Sequence, residues 1–497
     1  MEEGGAGGMS VEGPYELPKG WEWAKIEDCV DVLDSKRVPI NSKERQKRIE
    51  GKLTSELCPY YGATGQVGWI DNYLFDEELV LLGEDGAPFF DVTKNKAYIV
   101  NYKSWVNNHA HVLRAIVEVT TNGFLCNYLN IFDYSGYVSG TTRHKLNQKS
   151  MRNIPFPLPP LPEQRRIVAR IEELFTQLDA GISALETSQA QLKRYRQSVL
   201  KAAVEGKLTE KWRAEHPDVD PASALLERIE KEREKNVKGR RKKLPPLDVS
   251  ELPELPEGWE WTNLSQLKEF SLYGPRFSSN DYDENGYIVL RTSDISDSGK
   301  VNANTAPKLP LSVDQFSKYK VKLGDLLITR TGSLGTLAVF NDAVDAIPGA
   351  YLIQYRIVKL IKKTWYLFYF LKSPSGQNQL TCGGAGVGRP NLNAPTIEAI
   401  PVPFPPLAEQ HEIVSEIERR LSVADQAEVT IAANLKHVAR LRQSILKKAF
   451  RGELVPQDTN DEPASILLER IRAERAKSPP KKRRGRPRKN SGQKELI

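Results

Sequence analysis

Two stretches of the chain carry the same helical stripe of apolar positions. After Pro162 the apolar residues Ile167, Ile171, Leu174, Leu178, Ile182, Leu185, Leu192 and Val199 recur at intervals of three, four or seven. The rhythm returns in Ile413, Ile417, Leu421, Ala424, Ile431, Leu435, Val438, Leu441 and Ile445. Such spacing lays one narrow apolar seam along an α-helix, and Gly206 and Gly452 suit the far ends as C-caps. Each helix is expected to hold about 40 residues and to reach roughly 60 Å. So narrow a seam needs a partner. The other copy is the obvious one, and a coiled coil is predicted.

The stripe is one part of a longer repetition that organises the whole sequence. "LPKGWEW" at Leu17–Trp23 returns as "LPEGWEW" at Leu255–Trp261, 238 residues on. "IPFPLPPLPEQRRIVARIEELF" from Ile154 returns as "IPVPFPPLAEQHEIVSEIERRL" from Ile400, and "RQSVLKAAVEGKL" from Arg196 as "RQSILKKAFRGEL" from Arg442, both 246 residues on. "PASALLERI" from Pro221 returns as "PASILLERI" from Pro463, 242 residues on. Length is held along the helix and drifts in the flanks. One inserted helical residue would turn everything beyond it by about 100°, whereas loops absorb insertions at little cost. The helix therefore reads as a spacer of defined length.

The proline run ahead of each helix excludes both helix and central strand, because prolines fix φ and remove donors. It is expected to be stiff and extended, with Glu163 or Glu409 in the first helical turn complementing the helix dipole. The repeats mark out a flexible leader (1–16), a first variable domain (17–153) and a helical spacer (154–235). A basic linker (236–254), a second variable domain (255–399), a second helical spacer (400–476) and a basic disordered tail (477–497) follow. Inside the variable domains "ELVLLGEDG", "YIVLRTSDI" and "KLGDLLITRTGSLGTLAVF" read as strands broken by glycine turns, so both domains mix α and β. Beyond their borders the two have little in common, except that "GTTRHKLN" at Gly140–Asn147 lies over "GVGRPNLN" at Gly386–Asn393. An arginine and an asparagine in a glycine loop suit a phosphate or base contact; a cap and a solvated turn is the equal alternative.

Composition narrows the class of function. With 497 residues, 39% hydrophobic and 27% charged, the chain is an ordinary globular one, and no stretch is long and apolar enough for a membrane helix. The leader has no apolar core and is not a signal peptide. Four scattered cysteines, Cys29, Cys58, Cys126 and Cys382, fit a reducing cytoplasm and form no zinc spacing. The net charge of +7 is clustered in "SKRVPINSKERQKR", "KGRRKK" and "KKRRGRPRK", which points to a polyanionic partner, with plain solubilising tails as the other reading.

In their order, the repeated "LPxGWEW", "PxPPLxEQxxIV" and "RQSxLKxAxxGxL" phrases, framing two unlike domains, resemble the DNA-specificity (S) subunits of type I restriction–modification systems. "YYGATGQVGWIDNYLFD", "WVNNHAHVL" and "GDLLITRTGSLG" are similar to parts of the target-recognition domains of that family. The resemblance implies an α+β protein: two α/β target-recognition domains separated by two long antiparallel coiled-coil helices, with a pseudo-twofold internal repeat. It implies that each domain reads one half of a split site in double-stranded DNA. The helices would set the unread gap and bind two methyltransferase (modification) subunits, and through them restriction/translocase subunits. "RRGRPRK" near the C-terminus departs from the family pattern and resembles an AT-hook, which lays Gly-Arg-Pro along a minor groove; a plain basic tail is the other reading.

No catalytic constellation is found. The chain has no NPPY or DPPY tetrapeptide and no GxGxxG, and "GGAGVG" at Gly383–Gly388 lacks the spacing and the Lys-Ser/Thr of a P-loop. "HAH" at His109–His111 would put two imidazoles on one strand face, but no third metal ligand is in view. The expectation is therefore a non-catalytic subunit with no cofactor of its own, S-adenosylmethionine, ATP and Mg belonging to partner subunits. A coiled-coil scaffold without sequence-specific DNA binding is the alternative. Candidate DNA contacts are polar loop residues: Thr64, Gln66, Asn107, His109 and Arg143 in the first domain, and Arg291, Ser293, Arg330, Ser333 and Arg389 in the second.

Overall fold

The computed structural model describes residues 12–236, 247–331, 334–361, 364–382 and 392–477. The chain falls into two compact units that are not contiguous in sequence: Met1–Leu185 with Ala433–Ile497, and Glu186–Ala432. The successive domains expected from the repeats are thus regrouped, with each long helix divided between units.

The first unit opens with β1 (Glu22–Lys25), α1 (Ile26–Cys29) and β2 (Val30–Val32), then α2 (Ser42–Ile49). Strands β3 (Cys58–Gly62), β4 (Gly65–Ile70), β5 (Leu79–Gly83), β6 (Ala97–Val100), β7 (Trp105–Val106) and β8 (Ala110–Ala115) follow. Next come α3 (Asn122–Ile131), β9 (Val138–Ser139), β10 (Lys145–Leu146), α4 (Gln148–Arg152) and β11 (Pro155–Leu158). The strands form an antiparallel sheet in the order β2-β8-β5-β6 and a smaller one in the order β4-β3-β7, in which β3 and β7 are parallel. β5 is the expected "LVLLG" strand and is buried on both faces. Val80 and Leu82 join a core with Leu113, Phe124 and Phe156; Leu79 and Leu81 join a second core with Val100 and Val112. That alternation is the two-residue period of a strand with a layer on each side.

Helix α5 (Leu161–Val204) leaves this unit and enters the second, followed by α6 (Glu210–Glu215) and α7 (Ala222–Asn236). The second unit continues with β12 (Glu260–Asn263), α8 (Leu264–Leu267), β13 (Lys268–Tyr273), β14 (Tyr287–Leu290), β15 (Lys308–Leu309), α9 (Val313–Tyr319) and β16 (Leu326–Thr329). Then come β17 (Leu337–Val339), β18 (Ala346–Pro348), β19 (Leu352–Ile357), α10 (Trp365–Lys372), α11 (Pro374–Cys382), α12 (Ala394–Glu398) and β20 (Pro401–Phe404). Its sheets run β13-β19-β16-β17 and β15-β14-β18, the latter again with one parallel pair. Strand for strand these two sheets repeat those of the first unit, whose β9–β10 pair has no counterpart among the described residues. The two domains share little sequence beyond their borders, yet they share a fold, as the pseudo-twofold repeat implied. Buried strands need only apolar residues at alternating positions, so "LLIT" in β16 does the work of "LVLLG" in β5, with Leu326 and Ile328 in one core and Leu327 in another.

The repeated phrases turn out to be each other's partners. β1, from "GWEW", pairs antiparallel with the proline strand β11, and β12 pairs with β20 in the same register. The prolines are extended, as expected, but they sit in a two-stranded ladder, where alternate positions need no donor. Glu163 and Glu409 lie in the first turns of their helices, as expected, but they do more than complement the dipole. Both are buried, and each accepts a hydrogen bond from the first tryptophan of its "GWEW": Trp21 Nε1 to Glu163 at 3.1 Å, and Trp259 Nε1 to Glu409 at 2.9 Å. Nor is the leader free to its end, since the Tyr15 hydroxyl donates to the Phe450 carbonyl at 2.8 Å.

α13 (Leu407–Ala449) returns from the second unit to the first and is followed by α14 (Ala464–Lys477). α5 and α13 have 44 and 43 residues. Gly206 and Gly452 end them with φ of +70° and +71°, and the Lys207 N–H to Ala202 and Glu453 N–H to Lys448 bonds close Schellman-type turns. Within each unit the helix halves run antiparallel. In the first, Asp179 of α5 meets Arg442 of α13, and Arg166 of α5 meets Asp461 in the segment beyond α13; in the second, Arg196 of α5 meets Asp425 and Glu428 of α13, and Arg213 of α6 meets Glu409. The predicted stripes are buried or half-buried throughout, except Leu441, which is exposed.

Candidate nucleic-acid interface

In the first unit the five candidate residues gather around the C-terminal end of β5. Thr64 and Gln66 stand exposed on the β3–β4 hairpin; a Cβ on Gly83 would meet the Ala87 Cβ at 2.3 Å and the hairpin's Ala63 carbonyl at 3.0 Å. Asn107 follows β7, with its N–H on the Tyr61 carbonyl (3.0 Å) and its Oδ1 accepting from the His109 N–H (2.8 Å). It is buried, so it shapes the turn and does not project from it. His109 is half exposed and its ring faces Asp85 at 3.4 Å; Arg143, from the β9–β10 loop, also pairs with Asp85 at 2.7 Å. Arg143 remains well exposed.

Beneath this rim lies a buried ionic network absent from the sequence reading. His111 Nδ1 faces Asp34 at 2.7 Å, and its Nε2 faces the Leu146 carbonyl at 2.9 Å. Arg37 bonds Glu84 (2.7 Å) and the Ala110 carbonyl (2.6 Å), and Gln148 donates to Asp34 at 3.0 Å. Burial works against the Asp34 charge, but the His111 and Val112 hydrogen bonds and the Arg37 charge outweigh it and hold the carboxyl below its ordinary value. Asp34, Glu84 and His111 bring ligand atoms within 4.8 Å of one another, the third ligand that "HAH" lacked. His109 is not among them, and both carboxylates already hold cationic or donor side chains. The group reads as a lock joining the start of the domain, β5, β8 and β10.

In the second unit Arg291 does not project freely. Its guanidinium forks onto Asp294 (2.8 and 3.0 Å) and reaches the Thr305 carbonyl, closing its own turn. Ser293 is exposed on that turn. Arg330 follows β16 and stacks over Tyr273 at 4.7 Å; the Tyr273 hydroxyl accepts from the Ala394 N–H at 2.8 Å. Ser333 and Arg389 lie outside the described residues, as do "GVGRPN" up to Asn391, "KGRRKK" and "KKRRGRPRK".

Two features were missed as sites. Tyr351, just before β19, is 62% exposed and accepts the Arg330 N–H on its carbonyl. Helix α2, "SKERQKRI", is the other: Arg45 and Arg48 lie over Tyr60 and Trp105 and fix the helix to the small sheet, while Lys43 and Lys47 stay exposed. The charge cluster was its signal. Such a helix, beside a hairpin with polar tips, can grip phosphates while its neighbours meet base edges.

Comparison with known proteins bears on the whole chain. The model of the type I restriction modification DNA specificity domain matches residues 18–192 and again 256–436. The specificity subunit of the type I restriction enzyme EcoBI of Escherichia coli is 32% identical over 356 residues, 69% of either chain. That of EcoKI, from Escherichia coli strain K12, is 31% identical over 73% of either chain. That of EcoDI, from Escherichia coli, is 27% identical over 94% of this chain and 98% of its own. Among solved structures, a chain from work on the complex assembly and conformational transition of the type I R-M system is similar in fold. Its TM-score is 0.60 at 19% identity, over 89% of this chain and all of that one.

Proposed function

Since the chain belongs to the type I restriction–modification DNA specificity family, we propose that it supplies the address for a methylating and cleaving complex and performs no chemistry itself. Each recognition domain reads one half of a bipartite site in double-stranded DNA. The observation that carries this reading is the pair of domains with one topology and different polar side chains at the same rim. A common scaffold with exchanged contacts is what two different half-sites require.

In this reading the helices have two tasks. Readers on one face of B-DNA work about one helical turn, 34 Å, apart. Helices of 44 and 43 residues, about 65 Å long, have the reach to set that interval. They also offer the surface on which two modification subunits dock, and through these the restriction/translocase subunits. S-adenosylmethionine, ATP and Mg belong to those partners. Lys43 and Lys47 of α2 contact the DNA backbone, and Thr64, Gln66, His109, Arg143, Ser293 and Arg330 face the bases. Ser333 and Arg389 are retained as candidates on the sequence alone.

Methylome sequencing tests the proposal, in a host without other methyltransferases that expresses the chain with a modification subunit of its system. A two-part adenine-methylated motif with a fixed unread gap is expected. The same methylation with the modification subunit alone would move specificity elsewhere, and an assembled complex that methylates nothing would favour a scaffold.

A further inference from the structure

The two recognition domains share more than strand order at their rims. In the first, the Glu84 N–H donates to the His109 carbonyl (2.8 Å), Leu146 N–H to Glu84 (2.8 Å), and Asn107 N–H to Tyr61 (3.0 Å). In the second, the Arg330 N–H donates to the Tyr351 carbonyl (3.0 Å), Leu392 N–H to Arg330 (2.8 Å), and Gly349 N–H to Leu290 (2.8 Å). The strand registers agree with these bonds: Gly83 stands opposite Ala110 in one domain, Thr329 opposite Leu352 in the other. Three backbone bonds therefore make one cradle, built twice, with only Leu146 and Leu392 alike among its residues.

This cradle fixes which positions correspond. Tyr351 stands where His109 stands, Arg330 where Glu84 stands, and Gly349 where Asn107 stands. A backbone cradle holds whatever side chain it carries in the same place, so the differences at these positions are differences in what is presented outward. At one position an anionic carboxylate has become a cationic guanidinium. At the other, a half-exposed imidazole paired with Asp85 has become a phenol ring that is 62% exposed. Among the described residues the Tyr351 hydroxyl has no hydrogen-bond partner, while every side chain of the following strand β19 except Arg356 is buried. The neighbouring Arg330 is held in place by its stack on Tyr273, itself pinned by the Ala394 N–H.

We propose that Tyr351 is a specificity-determining residue of the second recognition domain, contacting a base of its half-site beside Arg330, and that His109 is its counterpart in the first. The inference rests on the address reading. An exposed ring with a free hydroxyl offers an apolar edge for a base and a donor or acceptor for the groove, at low conformational cost. Tyr351 thus occupies the cradle position at which the first domain presents His109, one of its candidate contacts.

The test compares the methylated motif of the full chain, assembled with its modification subunit, with those of Tyr351→Ala and His109→Ala. Tyr351→Ala is expected to relax one or two adjacent positions in one half-site, with discrimination falling about ten-fold, and to leave the other half and the gap intact. His109→Ala is expected to relax the opposite half. Should Tyr351→Ala fail to assemble, Tyr351→His, which copies the first domain, is expected to shift preference at the same positions. A Tyr351 variant that assembles and methylates the unaltered motif, or weakens all sequences alike, would overturn the inference while leaving the address reading intact. A wild-type chain that directs no bipartite motif would overturn both.

Discussion

The two buried glutamates show how much one side chain's company matters. Glu409 accepts from Trp259, Thr209 and Arg213, the last at 2.7 Å, so its charge is fully compensated. Glu163 accepts from Trp21, but its Oε1 is buried without a well-formed hydrogen bond. The repeat explains why: at the position of Thr209 the other copy has Val455, and α6, which carries Arg213, has no counterpart between α13 and α14. Burial accordingly raises the Glu163 pKa, against the smaller pull of Trp21 and Arg166. The folded state then binds the proton more tightly than the unfolded one, so stability falls as pH rises from the ordinary carboxylate value of 4.5 through the raised one. Thermal melts should show Glu163→Gln flattening that decline and keeping or raising the melting temperature near neutral pH. Glu409→Gln should instead lower stability by about 1–3 kcal/mol, because it strips a partly buried guanidinium of its partner. Equal effects from the two variants would show the locks to be equivalent. The sequence announced both glutamates by their repeat, yet only the tryptophan bond explains why each recurs with "GWEW". Arg291 teaches the opposite lesson: Asp294 three residues on was visible, and it ties down a guanidinium that looked free for DNA.

At the scale of elements, periodicity made the helices legible to within a few residues, and apolar runs with glycine turns located β5, β14, β16 and β17. The resemblance implied two α/β domains in a pseudo-twofold repeat, but their common strand order was not legible in the residues themselves. The bonds that define it join residues far apart in sequence, and buried strands tolerate any well-shaped apolar residue. The candidate contacts fared unevenly for a physical reason. The first-domain candidates converge on one rim because short hairpin turns fix polar residues there. The corresponding excursion of the second domain, residues 291–307, is longer and spends Arg291 on itself. Helix α2 has no counterpart between β13 and β14, and its outward lysines suit phosphate. Replacing Lys43 and Lys47 with alanine should weaken binding on all duplexes alike and reduce the salt slope of affinity by about two, with the methylated motif unchanged. An altered motif would make α2 a base reader.

At the scale of the whole molecule, the chain order and the folded units disagree. The first unit is completed by residues from Ala433 onward, the Ala464 N–H donating to the Gly20 carbonyl as that of Ala222 donates to Gly258 in the second. Fragments 1–236 and 247–497 would then each supply part of both units. Co-expressed, they are expected to purify as one complex that directs the intact chain's motif; fragments that stay apart would contradict the shared-helix arrangement. The central claim is that two separate readers are spaced by a helix pair of defined length. Seven residues inserted after Leu185 in α5, together with seven after Ala432 in α13, keep both apolar seams in phase and lengthen the pair by about 10 Å. Methylome sequencing of this variant is predicted to show both half-sites unchanged and the unread gap about three base pairs longer, at about 3.4 Å per base pair. A gap that stays the same, or a half-site that changes, would contradict the account.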